Sequence, residues 1–429
     1  MKKLFSVCFL ISFCSLTLAQ NTIIHCGSLI DGISDKPLNE YSIVIEVDRI
    51  VKVVKGYLEH KDGDVLIDLK GYTVMPGFID LHVHLESEAS KTNYMDRFTK
   101  NEADVAFKST LYAHRTLMAG FTTVRDVGGS GVNISLRNAI NSGIIVGPRI
   151  FTSGNGIKIT GGHGDPTNGF KQDLMGDPGP KYGVVNGVDD AIKAVRQRYK
   201  NGADLIKISA TGGVLSVAKD GSGPHLKQEE IEAIVNTAKD FGFHVAAHAH
   251  GKEGMKRAVL AGVTTIEHGT YMDVEVMKLM KEKGTYYIPT ILAGVYVSEK
   301  AAEKGFYPDV VAKKAAEIGP LISDTFKKAY KYGVAVGFGT DAGVYPHGMN
   351  AREFELMTAA GMKPMDAIIC ATSVNASILK RKDQFGSIKV GLFADIVAVK
   401  GDPLKDIGIL KNIDFVMKEG VVYKDQIIR

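Results

Sequence analysis

Several of the chain's twelve histidines sit where a cation would need them. His82 and His84 are two residues apart in the apolar run Phe78-Ile79-Asp80-Leu81-His82-Val83-His84. Residues two apart on a strand share a face, so both imidazoles can reach one metal ion. His248 closes the run Phe243-His244-Val245-Ala246-Ala247, His268 closes Thr264-Thr265-Ile266-Glu267, and Asp341 follows Gly339-Thr340. One histidine at the end of a buried strand is ordinarily a hydrogen-bonded core residue. Four of them in register with an aspartate form a nitrogen and oxygen donor set without thiolate, which suits zinc, with manganese or cobalt as alternatives. His250, two residues past His248, is either a further group on the same face or a loop histidine.

Lys207 is the unusual member of the set. In Asp204-Leu205-Ile206-Lys207-Ile208-Ser209, alternation places Leu205, Lys207 and Ser209 on one face and the two isoleucines on the other. With the isoleucines against helices, Lys207 points inward, where an unpaired ammonium is costly. Pairing with a nearby carboxylate would relieve that cost. So would conversion of the neutral amine to a carbamate by carbon dioxide, giving a two-oxygen bridge between two cations.

These residues need rigid elements to hold them. Six segments end a helix-compatible stretch in glycine and start a short apolar strand at once, at Gly120, Gly202, Gly242, Gly262, Gly284 and Gly333. Glycine takes the left-handed conformation that stops a helix. Ala119–Val124 (AGFTTV) and Ala261–Ile266 (AGVTTI) are nearly a literal repeat. With strands from Phe78 and Arg149, eight are expected, starting near Phe78, Phe121, Arg149, Asp204, Phe243, Thr264, Thr285 and Val334. Eight strands alternating with helices predict a (β/α)8 TIM-like barrel over residues 77–380, with an open sheet as the alternative. The candidate ligands then lie at the strand C-terminal ends, where barrels do chemistry. The flanks, residues 20–76 and 381–429, carry short alternating strands and are too small to stand alone. They are expected to pair into a small β-sandwich domain in which the barrel is an insertion.

Composition bounds the remaining possibilities. The 429 residues, 45% hydrophobic and 23% charged, describe a globular chain and exclude disorder, collagen and coiled coil. A net charge of +4 gives no field that argues for nucleic acid or an anionic membrane. Residues 1–19 place Lys2 and Lys3 before an apolar stretch ending in Ala19, the pattern of a secretory signal peptide, with a retained anchor as the alternative. Its removal lowers the net charge from +4 to +2 and predicts a secreted or periplasmic protein with no membrane segment. Of four cysteines, Cys26 and Cys370 then remain, either as one disulfide between the terminal segments or as two buried thiols.

The motifs Gly77-Phe78-Ile79-Asp80-Leu81-His82-Val83-His84, Ile206-Lys207-Ile208, Ala247-His248-Ala249, Glu267-His268-Gly269-Thr270 and Gly339-Thr340-Asp341-Ala342 together resemble the amidohydrolase superfamily, in its imidazolonepropionase-like branch. Met75-Pro76-Gly77 and Gly386–Gly391 match that family's usual borders, so the resemblance covers essentially the whole mature chain. Lys207 makes the chain similar to binuclear members that hydrolyse dipeptides or N-acyl amino acids, including Xaa-Pro dipeptidase-like, arginine carboxypeptidase-like and ochratoxin-hydrolysing enzymes. The resemblance implies two divalent metal ions, zinc first. His82, His84 and Asp341 hold one, His248 and His268 hold the other, and N-carboxylated Lys207 bridges them. It implies that Asp341 moves the proton, and that His163, in Thr160-Gly161-Gly162-His163-Gly164-Asp165, and Tyr271, in His268-Gly269-Thr270-Tyr271, hold the scissile carbonyl or the substrate carboxylate, with His250 beside them. The expected activity is hydrolysis of a small amide or dipeptide by a homo-oligomer. The rivals are a binuclear hydrolase of a lactone, phosphotriester or cyclic amide, and a non-catalytic periplasmic metal- or ligand-binding protein. Segments 161–185, 212–227 and 292–308 are expected to wall the pocket as loops. Tyr286, Tyr287, Tyr296 and Tyr345 either line it or pack nearby.

Overall fold

The computed structural model describes residues 21–427; the expected signal peptide, residues 1–19, lies outside the described residues. Four strands open the chain: β1 (Asn21–Leu29), β2 (Leu38–Glu46), β3 (Arg49–Lys55) and β4 (Val65–Pro76). The central region follows with β5 (Phe78–Val83), β6 (Phe121–Asp126), β7 (Arg149–Thr152), β8 (Lys158–Ile159), β9 (Val184–Val185), β10 (Ile206–Ser209), β11 (Val245–Ala249), β12 (Thr265–His268) and β13 (Tyr286–Ile288). The C-terminal segment adds β14 (Ile396–Lys400), β15 (Phe415–Lys418) and β16 (Val421–Asp425).

The central strands form a closed barrel. β5, β6 and β7 pair in parallel, as do β10 to β13. The two arcs meet where Asp204 N–H donates to Thr152 O at 2.7 Å, and where Ile157 exchanges backbone bonds with Lys207 and Ser209 at 2.7 and 2.8 Å. The eighth segment, expected as a strand from Val334, makes isolated bridges in place of a full ladder. It still closes the ring, because Tyr287 N–H reaches Ala335 O (2.8 Å), Leu81 N–H reaches Phe338 O (3.0 Å) and Asp341 N–H reaches His82 O (2.7 Å). A Cβ at Gly339 would lie 2.4 Å from Ile288 Cγ2 and 3.1 Å from the His82 amide nitrogen, so only glycine lets the backbone approach this closely. All six glycines read as helix stops have positive φ, between 70° and 94°.

Packing follows the predicted alternation in β10. Ile206 and Ile208 join the large core between strands and helices, while Leu205 packs with Val127 and Ala246 in a separate cluster. Both chain ends pair into one β domain, hydrogen-bonded as a single seven-stranded sheet in the order β16-β15-β14-β4-β1-β2-β3. Its middle strands serve two cores. Val397, Val399 and Val416 join the barrel's core, and Ile396, Ala398, Phe415 and Met417 join the sheet's own. Cys26 is buried in the sheet's core and Cys370 in the barrel's, both as free thiols, so the disulfide left open by the sequence does not form. Among the described residues no helix is long and apolar enough to cross a membrane.

Candidate metal centre and its cavity

The strand ends bring the predicted ligands together. One donor atom each from His82, His268 and Asp341 lies within 4.8 Å of the others. His84 Nε2 is 3.2 Å and His82 Nε2 3.5 Å from Asp341 Oδ1, and Lys207 Nζ is 3.4 Å from His82 Nε2. The His248 and His268 rings are 4.7 Å apart, centroid to centroid, and those of His82 and His268 4.9 Å. His250 stacks on His268 at 5.0 Å. His163 stacks on His248 at 4.2 Å, with its other side pressed on Gly213, where a Cβ would come within 2.3 Å of the ring.

Each imidazole is aimed by a partner on its other nitrogen. His84 Nδ1 meets Gly128 O at 2.9 Å, His268 Nδ1 meets Thr290 Oγ1 at 2.7 Å, and His248 Nε2 meets Gly212 O at 3.0 Å. This leaves the opposite nitrogen of each ring for a cation. His82 Nδ1 meets Glu267 Oε2 at 2.7 Å, and Glu267 Oε1 accepts from Arg125 Nη2 at 2.7 Å. Arg125 also donates through Nε to Leu81 O at 2.6 Å. His268, Thr290 and Asp341 all have positive φ, at 69°, 52° and 62°, a costly conformation for side chains other than glycine. The turn at Thr290 is held by Glu353, whose two carboxylate oxygens accept the Ile291 and Leu292 amides at 2.8 and 2.7 Å.

Electrostatics suit the same purpose. Burial pushes His82 and His250 down to about 4 and His163 to about 3, and puts His248 and His268 well below the ordinary histidine value. Neutral imidazole is the metal-binding form. His84 goes the other way: burial lowers it, and the adjacent Asp341 carboxylate more than offsets this. Burial alone would raise Glu267, but the Arg125 guanidinium holds it well below the usual carboxylate range. Burial pulls Lys207 down to about 8. Asp341 Oδ1 is buried between two imidazole nitrogens with no hydrogen bond of its own. An orphaned carboxylate oxygen among pre-aimed imidazoles, most of them held neutral by burial, and an inward lysine fits a divalent cation site.

The centre opens into a cavity of about 410 Å³, whose lining includes all six candidate ligands, His163 and His250. Tyr271 departs from expectation. It is 40% exposed and lies outside this lining, because its amide is tied back to His250 O at 2.9 Å and its ring stays at the surface. The four other tyrosines, Tyr286, Tyr287, Tyr296 and Tyr345, also lie outside the lining and take the packing alternative. Of the three segments expected as walls, the first two contribute His163, Gly164, Val214 and Leu215. The third is a wall but not a loop: Ile291–Ala301 is a helix, and Ala293, Gly294 and Val297 face the cavity from it. Sequence reasoning overlooked Glu267 and Arg125 as a pair, although the repeat carried the signal. One position beyond AGFTTV and AGVTTI stand Arg125 and Glu267, equivalent sites with opposite charges.

Residues 73–423 match the model of the amidohydrolase family. Over 95% of its length the chain is 32% identical to ochratoxinase of Aspergillus niger, covering 87% of that relative. It superposes with a TM-score of 0.92 on the crystal structure of a Xaa-Pro dipeptidase with bound methionine in the active site, at 52% identity over 94% of this chain and 100% of the other. A prolidase complexed with N-methylphosphonate-L-proline superposes with a TM-score of 0.87 at 33% identity, over 95% of this chain and 100% of that one.

Proposed function

The chain belongs to the amidohydrolase family and is a hydrolase of carbon–nitrogen bonds, and we propose that its substrates are dipeptides or N-acyl amino acids. The observation that carries the chemistry is the buried Asp341 Oδ1, without a hydrogen bond, 3.2 and 3.5 Å from two imidazole nitrogens. The substrate class is supported by the neighbour at 52% identity, a Xaa-Pro dipeptidase that binds methionine.

In this reading His82, His84 and Asp341 would hold one divalent ion, zinc first among the candidates, and His248 and His268 would hold a second. Lys207, once its neutral amine adds carbon dioxide and releases a proton, would present two carboxylate oxygens to the ions as a further ligand. When bound, the ions acidify a water and polarise the scissile carbonyl. Asp341 would take a proton from the attacking water and return it to the leaving nitrogen. His163, neutral and clamped between His248 and Gly213, offers the carbonyl oxygen an uncharged hydrogen bond. His250, tied to Thr270 Oγ1 at 2.8 Å, keeps its ring beside His268 at the cavity floor. Tyr271, at the surface beside His250 in this structure, stays the second candidate for holding the scissile carbonyl or the substrate carboxylate. With residues 1–19 as a signal peptide, the reaction takes place in the periplasm or outside the cell.

A hydrolysis panel of Xaa-Pro, Xaa-Arg, Xaa-Lys and Xaa-apolar dipeptides with N-acyl amino acids, run on metal-loaded protein, tests the reading. Turnover, with close to two metal ions per chain by elemental analysis, is the expected result. Lys207→Ala should lose both turnover and the second ion, and full activity in that variant would sink the bridge. Asp341→Asn should cut kcat by roughly 10²–10⁴-fold, the range for loss of a general acid–base group. Cleavage of lactones or phosphotriesters with no amide turnover would replace the substrate class.

A further inference from the structure

The barrel closes without a full ladder between the two segments that carry the candidate ligands of one ion. β5 supplies His82 and runs into His84, and the eighth segment, joined by isolated bridges, supplies Asp341. In a parallel ladder a residue accepts from one partner residue and donates to the residue two before it. Phe338 O accepts from Leu81 N–H at 3.0 Å, so Phe338 N–H belongs on Ile79 O. It goes elsewhere. The side-chain amide of Asn375 stands in that rung, accepting from Phe338 N–H through Oδ1 at 3.1 Å and donating through Nδ2 to Ile79 O and Phe338 O, each at 2.8 Å. Asn375 is fully buried, and its oxygen and both its amide protons are spent on this seam. Asp80 bridges the next rung in a similar way, taking the His82 and Thr340 amides on one oxygen at 3.0 and 3.1 Å.

A change of helical winding puts Asn375 there. The helix Pro364–Ile369 runs into a π-wound turn, Cys370–Val374, before Asn375–Ile378. Residues five apart lie about 140° apart around an α-helix, whereas the i→i+5 bonding of a π-turn brings them toward one face. Cys370 and Asn375 are five apart and both meet the eighth segment, the Cys370 thiol donating to Val336 O at 3.2 Å. Gly337 leaves the room, since a Cβ there would lie 2.8 Å from Asn375 Oδ1. The anchor points of the amide, Ile79 and Phe338, each stand three residues before a candidate ligand, His82 and Asp341, roughly 10 Å along extended chain. Without the amide, Phe338 N–H and Ile79 O either stay apart as buried unpaired groups or close on each other and narrow the seam. Either outcome moves Asp341 against His82.

We infer that Asn375 is a positioning residue for the metal centre, a spacer that sets how far Asp341 stands from His82 and His84 and so how well those three side chains fit one cation. The inference rests on the reading of the three as a single metal site. It adds to that reading a residue outside the cavity lining.

Asn375→Asp keeps the shape and the acceptor for Phe338 N–H but turns oxygen toward two carbonyls, and Asn375→Ser leaves the rung short. Both are compared, in the full chain, with Ile368→Ala, a truncation of a buried residue on the preceding helix that shares none of these hydrogen bonds. Zinc titration by calorimetry should show affinity for one ion weakened by about 10–100-fold in the Asn375 variants, the scale for losing a group that orients a ligand. With cobalt in place of zinc, the visible absorption, which reports ligand geometry, should shift in the same variants. Amide exchange across residues 336–342 should speed up by about tenfold, as expected for one lost buried hydrogen bond. Ile368→Ala should lower the urea midpoint and leave zinc affinity and the cobalt spectrum as in wild type. Wild-type zinc affinity and cobalt spectrum in whichever Asn375 variant folds, or the same losses in Ile368→Ala, would overturn the assignment. Accelerated exchange in the Asn375 variants beside a wild type that takes up no zinc would keep Asn375 as the spacer of the seam and remove the metal reading instead.

Discussion

His82 owes its direction to a charge two side chains away. Both oxygens of Glu267 act as acceptors, one for the His82 ring and one for Arg125, and all three side chains are buried. A glutamine would have to turn an NH₂ group toward one of two donors, so its shape fits while its hydrogen bonding does not. Glu267→Gln is expected to weaken metal retention by about 10–100-fold, the usual effect of losing the group that orients a ligand. Competition with a chelator measures it, and retention equal to wild type would show that Glu267 does not orient His82. Arg125→Met should instead cost about 3–5 kcal/mol in urea unfolding, because it leaves the Glu267 carboxylate buried without its cation. Much of this was legible at the level of single residues. Alternation alone aimed His82, His84 and Lys207 inward. It could not aim His268 or Asp341, whose positive φ turns the chain at the strand end in a way no period-two pattern encodes. Arg125 and Glu267 were legible only by carrying the repeat one residue further.

At the scale of elements, the cavity wall is stapled as well as packed. Lys314, on the helix Asp309–Tyr332, donates to Gly213 O, Ser216 O and Ala218 O at 2.9, 2.8 and 2.8 Å. That loop carries Val214 and Leu215 of the apolar wall and the Gly213 backbone behind His163. Lys314→Met removes all three donors from carbonyls that have no regular ladder. We expect KM to rise about tenfold and kcat to fall as well, since the same loop backs His163 and, through Gly212 O, aims His248. Amide exchange across residues 213–218 should accelerate in the same variant, and unchanged exchange would mean the loop holds itself. Loops of this kind could be located by composition, because glycine and charge cluster there. The helical wall from Ile291 could not. Its start depends on Glu353, 62 residues beyond Ile291, capping the Ile291 and Leu292 amides, a contact that exists only after the barrel has closed.

The whole molecule is one mechanical unit, although its sequence reads as a barrel with flanking ends. Alternate residues of β14 and β15 feed two different cores, so neither the sheet nor the barrel can lose those strands and keep its packing. Arg149, at the start of β7, adds a polar tie. It donates to Asp395 Oδ2 at 2.7 Å and Glu419 Oε1 at 2.5 Å, and Asp395 is almost wholly buried. The ends were recognisable as strands from their alternation, but the seam was not, because arginine in a strand ordinarily faces water. Two consequences follow for unfolding. Wild type should unfold in urea as a single transition, coincident by far-ultraviolet circular dichroism and by the fluorescence of a label on the terminal sheet. Arg149→Met should shift that transition by about 3–5 kcal/mol, since Asp395 is left buried without its cation. If the two probes separate in wild type, the shared strands do not couple the cores. If they coincide in wild type and separate in Arg149→Met, the polar tie rather than the shared apolar strands supplies the coupling.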